Sequence, residues 1–400
     1  MIPYSRQDIS RTDIDAVVEV LRSEFLTQGP TVPRFEDAVT RYCGARYGVA
    51  SNSATSALHI ACLALNLGPG DWLWTSPNTF VASANCALHC DAKIDFVDID
   101  PHTFNMSVVR LKEKLEHAEK QGRLPKIVIP VHFAGQPCDM PAIHELSQQY
   151  GFSIIEDASH AIGAHYANAS SSDATNKHIN SIKVGSCAHS DITVFSFHPV
   201  KIITSGEGGM AVTNDIELAS RLARFRSHGI TSDRELFRQR PDNQIWNYQQ
   251  IDLGFNFRMT DIHAALGLSQ MHRLNEFISR RHEIAERYHV ELGSLPITTP
   301  HQAPGTGSSY HLYPIRINEA KSGKTQQQLY QVFQAAGVNV NIHYIPVHRQ
   351  PFYESLGFKV GDFPEAECFH QEAISIPIYP SMLARDQEFV IDLIQGFLQS

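Results

Sequence analysis

The chain has 400 residues, 42% of them apolar, which is enough for sizeable globular cores and for two or three domains, and excludes a disordered or disulfide-stapled polypeptide. Lys and Arg number 33 against 42 Asp and Glu, a formal charge of −9 with no block of like charge, so nucleic acid and anionic membranes are poor partners. The first residues, MIPYSRQDIS, have no basic stretch followed by an apolar one, and no later run approaches the roughly eighteen apolar residues of a membrane span. Seven scattered cysteines without a CxxC pair (Cys43, Cys62, Cys86, Cys90, Cys138, Cys187 and Cys368) complete the expectation of a soluble, untargeted protein of a reducing cytoplasm.

In chain order, apolar residues recurring every three or four positions predict a helix from Ser53 to Leu65, opened by Ser53 as N-cap. The segments 94–99 (IDFVDI), 126–133 (KIVIPVHF), 152–157 (FSIIED) and 191–197 (DITVFSF) predict strands, with a helix from Met140 to Tyr150 between the second and third. Strands alternating with helices predict a doubly wound α/β fold whose central sheet is mostly parallel. The polar stretch 168–181, NASSSDATNKHINS, reads as a surface insertion. From Asp261 to about Leu295 the pattern is helical, and beyond Pro300 a Pro/Gly-rich stretch leads into a new strand at 310–317. The expected division is a large domain over 1–285 and a smaller C-terminal α/β domain over 286–400. No internal repeat is evident.

Chemistry concentrates in residues 191–209, where an apolar strand runs into Lys201, itself flanked by apolar residues and glycines. Desolvation lowers a lysine pKa and frees the amine as nucleophile, base or Schiff-base former. A random lysine in a connecting loop is far more often just solvated, but two neighbours change that balance. Asp157 ends a predicted strand, where doubly wound sheets place ligand-contacting groups, and would suit a pyridinium nitrogen of the kind pyridoxal phosphate carries. Taken alone, an Asp there more often caps a helix. The small residues after Ser53 could form an anion site at a helix start, although an ordinary Ser cap looks the same. Together the three fit a phosphate-bearing aldehyde cofactor. No GxGxxG follows the first strand, and GxxxxGK[ST], GxSxG and HExxH are missing. The 21 histidines show no ligand spacing, so no metal site is expected.

The ordered set SNSATSALHIA, LGPGDWLWTSPNTFVASANC, VDIDPHTFNM, DASHAIGA, SFHPVKIITSGEGG, DLGFNFRMTDIHAALG, IHYIPVH and SIPIYPSM resembles the DegT/DnrJ/EryC1/StrS family of pyridoxal-phosphate sugar aminotransferases across nearly the whole chain. The resemblance implies a type I aminotransferase fold, pyridoxal 5'-phosphate as cofactor and Lys201 as the cofactor-bonding, proton-moving lysine. Asp157 would pair with the ring nitrogen, His160 would stand near the ring hydroxyl where many members carry Gln, and Phe80 would stack on the ring. Ala54, Thr55, Ser196 and, from the second subunit of a homodimer, Asn256 would hold the phosphate. Tyr4, Thr27, Gln28, Gly29, Ser56, His343 and Tyr344 would contact the sugar. Members that dehydrate sugars carry histidine at the lysine position, so Lys201 favours transamination. The opening IPYSRQDIS and EFLTQGPTVPRFE (24–36) are most similar to the branch that aminates UDP-4-keto-6-deoxy-N-acetylhexosamines on the way to pseudaminic acid, with L-glutamate the expected donor. A dTDP-linked 3- or 4-keto sugar is the alternative substrate. A cofactor-binding paralogue without turnover is a further alternative, which the joint presence of Lys201, Asp157 and Ser196 argues against.

Overall fold

The computed structural model describes residues 1–166, 182–238 and 244–399. The expected insertion at 168–181 lies outside the described residues. The central sheet has seven strands: β1 (Tyr47–Ser51), β2 (Trp72–Thr75), β3 (Lys93–Phe96), β4 (Ile127–Ile129), β5 (Ser153–Asp157), β6 (Ile192–Ser196) and β7 (Gly209–Thr213). Their spatial order is β1-β7-β6-β5-β4-β2-β3. β3, β2, β4, β5 and β6 pair in parallel, and β7 runs antiparallel to both neighbours. Three of these strands were not expected. YGVAS and GMAVT each include Gly and Ala, which are depleted in strands, and WLWT is only four residues long, so the local signal is weak and the sheet context decides.

Four helices matter for the site: α1 (Arg11–Leu21), α2 (Thr31–Cys43), α3 (Ala54–Ala64) and α4 (Ala82–Leu88). α3 is capped as expected, Ser53 Oγ accepting from the Ser56 N–H at 3.1 Å, a cap worth about 1 kcal/mol. The two-residue period of a strand divides the core between the sheet's faces. Ile155, Ile192 and Val194 pack with Leu58 and Ala61 of α3 and Ala84 of α4. Ile154, Val128 and Phe195 pack on the other side with Phe35 and Val39 of α2 and with the 140–150 helix. Covered on both faces, β6 is buried along its whole length.

Toward the C-terminus, β8 (Ile297–Thr298), β9 (Tyr313–Ile317) and β10 (Ala373–Ile376) form a small antiparallel sheet. It shares a third core with the helices Gln326–Ala335 and Ala384–Gln399. The long helix Leu274–Leu292 joins two cores: Leu274 and Phe277 pack beneath the large sheet, Ile284, Tyr288 and Leu292 against the small one. The chain start also reaches the small sheet's side, since Ile2 bridges Val338 and the Tyr4 carbonyl accepts from Ile378 N–H at 3.1 Å.

Candidate active site

A cavity of about 360 Å³ opens at the C-terminal ends of β5 and β6, beside the start of α3. The residues that end these strands are polar because there the chain leaves its apolar layer, and three of them converge. Asp157 closes β5, Ser196 closes β6, and Lys201 sits in the loop that returns to β7; all line the cavity. That loop is closed at its base by the Phe197 N–H donating to the Gly208 carbonyl at 2.8 Å. Ile202 and Ile203 are buried beneath it. The turn carrying the lysine is tied by Lys201 N–H to the His198 carbonyl at 2.9 Å, and Ser5 Oγ donates to Val200 O at 3.1 Å from the chain start. Burial lowers the Lys201 amine from its usual range to about 8, against the opposing charge of Asp157.

At the far end of the cavity lies the N-terminus of α3. Ser53, Ala54 and Thr55 line it, and the first N–H groups of a helix attract anions. β7 abuts this helix start so closely that a Cβ at Gly209 would come within 2.4 Å of Ala54 N. Glycine there keeps the anion site open.

The remaining wall carries imidazoles. His160 Nδ1 accepts from the Ala134 N–H at 3.3 Å, so its ring proton is on Nε2, 3.2 Å from the Tyr344 hydroxyl. The His311 ring lies 4.4 Å from that of His160, and its buried Nδ1 has no hydrogen-bond partner among the described residues. His343 is held by Ser375 Oγ at 2.9 Å and Asn341 at 3.2 Å. Burial and the nearby Lys201 charge pull His160 and His311 well below the usual imidazole range and His343 to about 3, so all three are neutral near pH 7. Burial, with the charge of Asp157, raises the Tyr344 phenol. Phe80 is 59% exposed and borders the cavity, 6.3 Å from the Tyr344 ring, with Tyr4 also in the wall.

Ten of the sequence-derived candidates therefore meet in one cavity, and five do not. Ser56 turns inward, buried against Ser53 Oγ at 3.0 Å, and Ser53 takes its place in the lining. Thr27, Gln28 and Gly29 are clamped to the start of the helix Asp261–Met271: Thr27 bridges Thr260, and Gly29 N–H donates to Asp261 Oδ2 at 2.7 Å. Asn256 bridges Ser227 and is exposed, outside this chain's cavity. Sequence reasoning missed Thr79, Ser83, His311 and Glu207, all cavity-lining; the only signal for the first two was their place beside Phe80 in TFVAS. Among the described residues, no group of three or more His, Cys, Asp or Glu could hold a metal ion, and no helix is long and apolar enough to cross a membrane.

The model of the DegT/DnrJ/EryC1/StrS aminotransferase family matches residues 7–395. The chain belongs to this family. The UDP-4-amino-4,6-dideoxy-N-acetyl-beta-L-altrosamine transaminase of Campylobacter jejuni is 35% identical to it, over all of this chain and 98% of that protein. Among solved structures, the Helicobacter pylori aminotransferase PseC, involved in the biosynthesis of pseudoaminic acid, superposes with a TM-score of 0.86 at 29% identity, covering 99% of this chain and 98% of its own. The PMP-form of the putative sugar aminotransferase Spr1654 from Streptococcus pneumoniae gives 0.86 at 27%, covering 100% and 99%. As a member of the DegT/DnrJ/EryC1/StrS family, the chain is a sugar aminotransferase that uses pyridoxal 5'-phosphate. The cavity suits that cofactor chemically: an amine of lowered pKa for the aldehyde, a carboxylate for the ring nitrogen and a helix start for the phosphate.

Proposed function

We propose that this DegT-family chain moves an amino group from an amino acid, L-glutamate, to C4 of a UDP-4-keto-6-deoxy-N-acetylhexosamine, the reaction class used in pseudaminic acid biosynthesis. The observation that carries the reading is Lys201 at the floor of the cavity, its amine lowered to about 8, with Asp157 beside it. The UDP-sugar assignment draws on the full-length likeness to the Campylobacter transaminase. Pyridoxal phosphate, when bound, supplies the electron sink and the carrier for the amino group. Lys201 Nζ would hold the cofactor at its aldehyde and would serve to take up and return the substrate proton, a role for which a pKa near the working pH is best. Asp157 would pair with the ring nitrogen, and His160 would stand near the ring oxygen with its Nε2 proton available. Phe80 would cover one ring face, while Ala54, Thr55 and Ser196 would hold the phosphate.

Tyr4, His343 and Tyr344 bind the sugar from the small-sheet side, with Ser56 supporting the α3 start. The exposed positions of Asn256, Thr27 and Gln28, with Gly29 half-buried beside them, suit a homodimer in which Asn256 of the partner subunit completes the phosphate site. The division into domains at 1–285 and 286–400 belongs to the same reading, as does a cytoplasmic setting in which all seven cysteines, free in the structure, stay reduced. The test is the visible spectrum of the holoenzyme before and after L-glutamate, followed by initial rates with UDP- and dTDP-linked 4-keto sugars. A band that collapses with glutamate and a preference for the UDP sugar support the proposal. A band indifferent to glutamate rejects the donor, and a preference for dTDP rejects the substrate.

A further inference from the structure

We propose that Ser83 and Thr79 are positioning residues for Asp157, forming a directed chain of hydroxyl protons that fixes both the orientation and the charge of the carboxylate facing the cofactor ring; this rests on the reading of Asp157 given above. The direction follows from counting protons. Ser83 Oγ lies 2.5 Å from Asp157 Oδ2, and an ionised carboxylate has no proton to give, so Ser83 donates. A serine hydroxyl has a single proton. With it committed, Thr79 Oγ1, 2.9 Å from Ser83 Oγ, must be the donor in that contact. The chain therefore runs Thr79 to Ser83 to Asp157.

Its members are 2%, 0% and 5% exposed, so water screens none of these bonds and each donor polarises the next. The backbone N–H of Ser159 donates to the other oxygen, Asp157 Oδ1, at 3.0 Å. Each carboxylate oxygen thus has one fixed donor and keeps lone pairs for a proton offered from the cavity. Ser83 is not explained as a helix cap: α4 has Val81 as N-cap and no side-chain cap bond, and the Ser83 hydroxyl instead reaches a residue 74 positions away. By favouring the carboxylate over the carboxylic acid, the two hydroxyls keep the shared proton on the ring nitrogen rather than on Asp157, which is the arrangement that makes the ring a strong electron sink.

The test uses holoenzyme loaded with pyridoxal phosphate carrying ¹⁵N in the ring, and follows the nitrogen chemical shift in wild type, Ser83→Ala, Ser83→Thr, Thr79→Val and Asp157→Asn. A hydrogen bond to a charged group is worth at least about tenfold in an equilibrium. Ser83→Ala is expected to move the proton distribution by about that factor toward Asp157, shifting the nitrogen toward its unprotonated value. Ser83→Thr should restore it, and Thr79→Val should shift it in the same direction by less. Should Ser83→Ala fail to fold, Thr79→Val, which is nearly isosteric, carries the test. An unmoved nitrogen signal in the folded variants overturns the proposal, even if cofactor leaves faster, because that alone is the mark of a merely structural role. If Asp157→Asn also leaves the signal unmoved, the reading of Asp157 itself has failed.

Discussion

Glu156 and Asp157 are consecutive residues at the end of β5, yet the strand period sends one to each side of the sheet, and they have opposite fates. Glu156 is saturated. His132 Nε2 lies 2.8 Å from Oε2, Thr193 Oγ1 donates to Oε1 at 3.0 Å, and the Tyr166 and Ser190 hydroxyls donate as well. His132 Nδ1 accepts from the Cys138 N–H at 3.0 Å, so its proton is on Nε2 and points at Glu156. Burial alone would raise the Glu156 carboxyl, but the hydrogen bond from His132, with those from the Ser190 and Tyr166 hydroxyls, holds it below its ordinary value. Asp157 has two donors and an open cavity before it. A buried carboxylate with every lone pair occupied serves as scaffold, whereas one with lone pairs left over is available to a ligand.

The sharpest break of this comparison is to remove each face's key group and watch activity and stability separate. Lys201→Ala should lower turnover by at least about 10³-fold while the unfolding free energy stays within about 1 kcal/mol, as measured by single-turnover kinetics and urea unfolding. Near-normal turnover would end the assignment of Lys201. Glu156→Ala should do the reverse, costing about 3 kcal/mol or more because His132, Tyr166 and Ser190 lose a shared acceptor in a dry core. Its folded fraction should still take up cofactor with a normal spectrum; intact stability with lost cofactor would place Glu156 on the reactive side.

The pH response of Lys201 sharpens the same contrast. Only the neutral amine attacks an aldehyde, and with a pKa of about 8 the ammonium dominates below that value. The rate of borohydride-trappable capture of pyridoxal phosphate should thus fall about tenfold from pH 7 to pH 6 and change less than about twofold from pH 9 to pH 10. A rate still climbing steeply between pH 9 and pH 10 would mean an ordinary lysine. The mildest probe is Tyr166→Phe, which removes one of Glu156's several donors and should cost about 1 kcal/mol in urea unfolding without changing the cofactor spectrum. A loss as large as that of Glu156→Ala would show that the network depends on one hydroxyl rather than on all four donors.

Much of the site was legible in the sequence because its signals are local. Lys201 stands out between an apolar strand and glycines, Asp157 ends SIIED, and Ser53 opens α3, each visible within a few residues. What was not legible spans long separations. Ser83 meets Asp157 across 74 residues, and Glu156 meets His132 and Thr193 across 24 and 37, with nothing in FSIIED to mark Glu156 as the more constrained acid. Thr27, Gln28 and Gly29 were placed with the sugar on likeness alone; in the fold Gly29 donates to Asp261, 232 residues away, and Thr27 bridges Thr260. The strands β1, β2 and β7 escaped notice because Gly, Ala and a four-residue run carry little propensity, and their pairing is a property of the assembled sheet.

The rung between Phe197 and Gly208 joins backbone to backbone. It, the His198 turn and the buried Ile202 and Ile203 hold the backbone of residue 201 without using its side chain. The holder and the reactive group are thus separable, and a single codon change can exchange the group with the holder intact. Such a position lets a lineage, or a protein engineer, explore new reactions at little risk to folding, because selection on chemistry and selection on stability act there on different atoms.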